Sequence, residues 1–511
     1  MTRVGGTTAR SAEGRTEPGT VRARELAVQD RALRKGVRAV LLTVSIAALA
    51  VALPASLIAD VDDAPRSDAW VITLGIMVWA GIRLSMLAVA GIPRMFDFFF
   101  WLFAYIFLGI APTAQIRTGL TSTTTPDVDP GLDVPTAGVV VLGLVCYEVA
   151  RLIVVVREGH TDRLPPGIRP VSRLRTGALF AVALTLSAYV VSQLGVTIFE
   201  GSREAATAAR AAAWPDPAVR SILYAGGVYP MAVAVGAAAQ CVRQAATRLE
   251  RLLWTAAAVG GAVVLLLIVN PVTSARYTFG TIAFALAVFL GALATRVRAR
   301  VTMLAVLLGF LVLFPVADTF RRAGGGTTTR SGFFAEYLSN PDYDAFWQIA
   351  NALSYWLEGL VVPFSQFLGN VLFWVPRTLW AEKPTDTGIV LAQYRGYAVD
   401  NLSAPLWAEA LVNGGLVAVI VCFAACGVGL RVMDTRIVPA LRQGGVWAIV
   451  GAILPVFTTI LLRGSLLQAT GALVLTIAAI LVVRGAAQPA ADRFPVRADP
   501  LPLTRPASPP G

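Results

Sequence analysis

The stretch GVWAIVGAILPVFTTILLRGSLLQATGALVLTIAAILVV, Gly445 to Val483, holds two apolar runs, 445–462 and 466–483, with only Arg463, Gly464 and Ser465 between them. A bilayer core takes about 20 mostly apolar residues in helical form, so each run has the length of one crossing. Similar runs recur outward from here along the 511-residue chain. Twelve crossings are expected, near 37–59, 69–92, 96–114, 135–156, 175–198, 220–241, 252–270, 278–295, 301–318, 407–430, 445–462 and 466–483.

Composition points the same way. Hydrophobic residues make up 56% and charged residues 14%, and the mean hydropathy is +0.67. A water-soluble domain of ordinary usage does not carry that much apolar surface. The expected fold is all-α and integral to the membrane, with about twelve transmembrane helices. Residues 1–36 read as a disordered basic arm, 37–318 as a nine-helix membrane region, 319–406 as one long loop, 407–484 as a three-helix membrane region and 485–511 as a disordered, Pro-rich tail. The start lacks a short apolar run ending in a cleavage site, so no signal peptide is expected.

Short cytoplasmic loops are enriched in Lys and Arg. Arg31, Arg34, Lys35 and Arg38, the 157–175 loop, Arg243/Arg248/Arg251, Arg296/Arg298/Arg300 and Arg431/Arg436/Arg442 all fall on one side of this topology. That side is expected to be the cytoplasm, with both termini there and the protein in the cytoplasmic membrane. The net charge of +12 then reflects topology and attraction to anionic headgroups, not nucleic acid.

Several chemistries are disfavoured. No loop carries Gly-Lys-Ser/Thr for cradling nucleotide phosphates. The lone histidine, His160, falls in a loop placed inside. The four cysteines, Cys146, Cys241, Cys422 and Cys426, lie in or beside apolar spans, so neither a disulfide framework nor a metal site is expected.

The long segment 319–406 is the one departure from a simple serpentine, and loops of this size are uncommon unless functional. In NPDYDAFWQIANALSYWLEGL, Asp344, Gln348 and Asn351 share one helical face behind an Asn-Pro start signal, which predicts a helix on or dipping into the outer surface. The next piece, VVPFSQFLGNVLFWVPRTLW, is apolar but broken by Pro363 and Pro376, which suits a re-entrant or interfacial element. Trp374, Trp380 and Trp407 fit headgroup level.

Against the positive-inside tendency, Arg276, Arg321, Arg322, Arg377, Lys383, Arg395 and Arg463 fall on the outer side. Solvated loop charges or snorkelling anchors are one account of them, and Arg330, in GGGTTTRSG, fits that account best. Convergence on an anionic group at the membrane surface is the other, because guanidinium forks match phosphate oxygens. A lipid-linked pyrophosphate is the natural ligand.

The stretches NPVTSARYTFG (270–280), FPVADTFRR (314–322), NPDYDAFWQIAN (340–351), VPRTLWAEKPTDTG (375–388) and NLSAPLWAEALVNGGL (401–416) together resemble the O-antigen polymerase, or oligosaccharide repeat-unit polymerase, family. The resemblance covers about the last half of the chain. It implies a metal- and cofactor-independent, GT-C-like glycosyltransferase that moves a growing glycan from undecaprenyl pyrophosphate to an incoming lipid-linked repeat unit outside the cytoplasmic membrane. Such an enzyme works beside a flippase and a chain-length regulator.

The leaving pyrophosphate needs fixed donors, for which Arg377, Arg276, Arg321 and Lys383 are candidates in that order, with Arg322 beside Arg321. A carboxylate is expected to serve the acceptor hydroxyl. Glu409 is the first candidate, with Asn413 one turn below on the same face, and Asp318 the second. Asp342, Asp344 and Gln348 are candidates for sugar contacts, and the two aspartates are equally candidates for helix caps.

Rival functions stay open at this stage. A polymer ligase shares the arginine chemistry. A glycosyltransferase using polyprenyl-phosphate sugars often has an acidic pair in its first outward loop, as in Asp60, Asp62 and Asp63 here. A lipid-linked oligosaccharide flippase would show two related halves; no internal repeat is seen, although Arg83 and the Glu148/Arg151 pair sit within spans.

Overall fold

The computed structural model describes residues 35–61, 64–159, 169–195, 203–313, 333–400 and 402–486. Asp62, Asp63, His160, Asp318, Arg321, Arg322 and Arg330, together with the arm before residue 35 and the tail after 486, lie outside them.

Regular structure in the described residues is helical, apart from one bridge between Val171 and Arg484. The chain opens with α1 (Lys35–Asp60), α2 (Ala69–Ala90), α3 (Met95–Arg117), α4 (Pro130–Glu158) and α5 (Arg173–Leu194). A short α6 (Arg203–Ala213) leads to α7 (Val219–Gln244), α8 (Arg248–Ile268) and α9 (Arg276–Phe289). Then come α10 (Arg296–Leu308), α11 (Ala345–Leu357), α12 (Ser365–Val371) and α13 (Thr387–Arg395). The chain closes with α14 (Leu406–Gln443), α15 (Val446–Arg463) and α16 (Leu466–Val483).

Ten of these helices among the described residues are long and apolar enough to cross a bilayer: α1 to α5, α7, α8 and α14 to α16. The protein is an all-helical, multi-pass membrane protein. The expected eighth crossing, 278–295, is a 14-residue α9, whose ~21 Å at 1.5 Å per residue falls short of a ~30 Å hydrocarbon core. It ends at a turn in which Gly291 takes φ +92°. The expected ninth coincides with α10 and the wide turns Gly309–Leu313 that continue it.

The aromatic-rich α3 is the central post, buried at every residue from Met95 to Arg117. Lipid tails are as apolar as leucine, so packing, not hydrophobicity, decides which apolar helix goes inside. Phe100 stacks on Tyr147 of α4 with ring centroids 3.6 Å apart, and Phe103 stacks on Trp407 of α14 at 6.3 Å. Glycines let α4 and α14 meet closely. A Cβ at Gly143 would lie 2.2 Å from Trp407 Nε1, and one at Gly427 would lie 2.2 Å from the Tyr147 carbonyl.

Near its start α14 breaks at Gly414 and Gly415, the latter at φ 61° and ψ −149°. Trp356 of α11 occupies the space that a side chain at Gly415 would need, its Nε1 only 2.3 Å from the position of a Cβ. The amino-terminal piece of α14 is thereby turned under the long loop.

Contacts sort the connections onto two faces. On one, Arg431 pairs with Glu158, Val446 N donates to the Arg169 carbonyl, Arg173 pairs with Glu250 and Arg300 donates to the Val89 carbonyl. This is the arginine-rich face. On the other, Arg66 pairs with Asp133, Arg395 donates to the Asp127 carbonyl and Arg463 pairs with Asp342. This is the face of the long loop.

The helix expected at the surface, α11, is instead enclosed, with every residue from Ala345 to Leu353 buried. Its polar residues are buried with it. Gln115 of α3 accepts from Trp347 Nε1 at 2.7 Å, and Asn351 donates to Gln348 at 3.4 Å. Beyond it, Phe364, Phe367, Leu368, Val371, Trp374 and Leu379 leave large apolar side chains uncovered.

Candidate functional site

On the long-loop face a cavity of about 380 Å³ opens between α7, α9, α15 and α16, lined among others by Tyr224, Arg276, Asp342, Arg463, Ser465 and Gln468. Arg463 is the last residue of α15, and only Gly464 and Ser465 link it to α16. Its Nε donates to the Asp342 carbonyl and its Nη2 to Asp342 Oδ1, both at 3.0 Å. Asp344 Oδ1 lies 3.6 Å from the same Nη2. The guanidinium sits 5.8 Å from the ring centroid of Tyr277 and 6.0 Å from that of Phe107.

Arg276, the first residue of α9, brings its Nη2 to 3.6 Å from Asp342 Oδ2. Two guanidiniums thus share one carboxylate across the cavity, and Asp344 completes a balanced group of four charges. Buried charges of this kind are stable only when paired. Asp344, which precedes α11, also accepts from Ser403 Oγ at 2.7 Å. Its burial raises the carboxyl above the ordinary range, and Arg463 and Ser403 partly oppose that.

Glu409 stands one layer behind the cavity and does not line it. Its Oε1 accepts from Leu466 N at 2.9 Å and its Oε2 from Thr387 Oγ at 2.8 Å. It therefore fixes the start of α16 against α13. Asn413 is likewise a bracket: its Nδ2 donates to the Glu409 carbonyl at 2.7 Å, its Oδ1 accepts from Phe367 N at 2.7 Å, and its carbonyl accepts from Phe364 N at 3.0 Å. Gln348 is fully buried in α11.

Arg377 and Lys383 do not reach the cavity. Arg377 is exposed and donates to the Lys383 and Pro384 carbonyls at 2.7 and 3.4 Å. Lys383 Nζ donates to the Phe373 and Val375 carbonyls at 2.6 and 2.9 Å. Burial, and then Arg377 nearby, lower the Lys383 ammonium below its ordinary value. The two cations brace the 373–384 turn from within. Arg321, Arg322 and Asp318 lie outside the described residues.

The structure therefore gathers Arg276, Asp342 and Asp344 and adds Arg463, which the sequence offered only as one of several outer cations. A second cavity, about 270 Å³, lies between the 123–127 turn and residues 395–399. Tyr397, on its wall, donates to Asn351 of α11 at 3.4 Å. Asp344, beside Arg463, and Asn351, beside Tyr397, are seven residues apart, roughly 10 Å along the helix. Comparison of the chain with protein-family models, curated proteins and solved structures gives no match.

Proposed function

We propose that the chain is a membrane glycosyltransferase that polymerises lipid-linked oligosaccharide repeat units, with the pyrophosphate of the polyprenyl carrier held by Arg276 and Arg463. The observation that carries this reading is the cavity on the long-loop face with two guanidiniums turned to one carboxylate. Arginine forks bind phosphate oxygens in pairs. Two of the stretches that resemble the polymerase family, 270–280 with Arg276 and 340–351 with Asp342 and Asp344, meet at this cavity.

In this reading the arginine-rich face is cytoplasmic, as are both termini, and the cavity opens outside the cytoplasmic membrane. Although α9 alone is shorter than a full crossing, α9 with the turn after it and α10 with its continuation to Leu313 run between the two faces and bring the count to twelve in a GT-C-like arrangement. The uncovered apolar residues of 364–379 rest in the outer leaflet. The bond between the glycan's first carbon and the pyrophosphate oxygen breaks, the acceptor hydroxyl oxygen takes its place, and the electron pair leaves with the pyrophosphate facing Arg276 and Arg463. Fixed donors aimed at that charge are the main source of rate. The second cavity, beside Tyr397, offers room for the glycan.

The test is polymer per membrane-inserted protein in a deletion strain carrying Arg276→Ala or Arg463→Ala. A loss of about a hundredfold, with accumulation of single lipid-linked repeats, is expected. Normal polymer in both variants sinks the assignment.

A further inference from the structure

Of the outer cations expected from the sequence, Arg395 belongs neither to the arginine cluster nor to the 373–384 turn. It ends α13, where Gly396 turns the chain back at φ +67°, the left-handed stop that glycine makes without strain. Arg395 and Tyr397, on either side of that glycine, reach the same neighbour. Arg395 donates to the Asp127 carbonyl, and Tyr397 to the Pro126 carbonyl at 3.0 Å. Two side chains of one turn thus fix two successive carbonyls of another, and the cavity of about 270 Å³ lies between them.

Asp127 is held at φ +59°, a region that non-glycine residues enter at a cost and that aspartate tolerates better than most. Its side chain is exposed and on the cavity wall. Among the described residues its carboxylate accepts no hydrogen bond and forms no ion pair. The guanidinium of Arg395, on the same wall, is engaged by a carbonyl. Thr123 and Thr124 add hydroxyls. The cavity therefore presents hydroxyls and one open negative charge, on a backbone already fixed for a ligand.

We infer that this cavity takes an uncharged sugar of the glycan on the lipid held at Arg276 and Arg463, with the Asp127 carboxylate accepting from two neighbouring hydroxyls of the ring. The inference rests on the polymerase reading above. A carboxylate has two acceptor oxygens, and hydrogen bonds to a charged acceptor are stronger than neutral ones. An acidic sugar would bring a second negative charge against Asp127, and like charges brought together cost several-fold in affinity. Asn351 accepts from Tyr397, and Asp344, beside Arg463, is roughly 10 Å away along α11. The sugar in this cavity is therefore some way along the glycan from the carbon that reacts. Asp127 is a specificity-determining residue and takes no part in the bond exchange.

The experiment uses the full chain in proteoliposomes and two probes: bare undecaprenyl pyrophosphate, and lipid-linked repeats extracted from the deletion strain. Wild type should retain the lipid-linked repeats about tenfold more tightly than the bare lipid, the worth of one or two charge-assisted hydrogen bonds. Asn and Gly both accept the backbone conformation of Asp127, so Asp127→Asn and Asp127→Gly keep the turn. Both should lose most of that margin while retention of the bare lipid stays within about twofold of wild type, as expected of separate sites. The margin should be equal at low and high salt, whereas retention of the bare pyrophosphate falls as salt rises. An undiminished margin in both variants overturns the inference and leaves the polymerase reading intact. The absence of any margin in wild type, or a margin that salt weakens, does the same. Equal loss of both probes in the variants also overturns it, by reducing Asp127 to wall structure. A wild-type protein that retains neither probe removes the polymerase reading and this inference with it.

Discussion

Arg463 donates to Asp342 twice, at 3.0 Å to its carbonyl and at 3.0 Å to its carboxylate; on the proposed reading that carboxylate stands where the phosphate binds. The other oxygen of Asp342 is 3.6 Å from Arg276. A bound anion must displace that carboxylate or share both guanidiniums with it. Asp342→Asn retains an acceptor for Arg463 and removes the competing charge, so retention of undecaprenyl pyrophosphate should tighten several-fold. Arg463→Lys should weaken it, since a point charge cannot reproduce the fork. The check is lipid retention by purified variants at two salt concentrations; weaker retention by Asp342→Asn would show that the aspartate serves the ligand directly.

The crossings could be read from the sequence because a bilayer imposes length and apolarity on each segment separately. The shortness of α9 could not, since 278–295 is apolar throughout and only the turn at Gly291 cuts it. The polar face of α11 read as a surface because a sequence shows that Gln348 and Asn351 are polar but not that they are buried, bonded to each other. Arg377 and Lys383 read as a ligand pair; their six-residue spacing instead lets each satisfy carbonyls of its own turn. Arg463 was legible as a charge in a three-residue link, yet its partner lies 121 residues away.

Gly415 is the point at which α14 turns, and Trp356 packs where a side chain would be. Gly415→Ala adds a Cβ 2.3 Å from Trp356 Nε1 at φ +61°, so it meets both a clash and an unfavourable backbone region. Each effect costs about 1–3 kcal/mol. Membrane-inserted protein and its melting temperature in detergent should both fall. Adding Trp356→Ala should recover the part due to the clash and leave the part due to φ. Full tolerance of Gly415→Ala would mean that the break is not fixed by this contact.

Toward the arginine-rich face, Arg83 of α2 lies 3.2 Å from Asp97 of α3 and 3.4 Å from Glu148 of α4. Arg151 donates twice to Glu148, at 2.8 and 2.6 Å. Asp97 also accepts from Tyr147 at 3.0 Å, and Asp434 of α14 accepts from Phe96 N and Asp97 N at 3.1 and 3.0 Å. A transporter needs such charges to exchange partners with a cargo, whereas these are bonded to one another and tie four helices together. Removing one partner of a buried ion pair costs about 3–5 kcal/mol because the other charge is stranded, whereas removing both with apolar replacements is often close to neutral. Arg83→Met should therefore lower the amount of inserted protein sharply. The Arg83→Met/Asp97→Leu pair should restore most of it, with polymer per inserted protein at the wild-type level. Restored protein without polymer would give these charges a part in the reaction cycle and move weight back to a transport function.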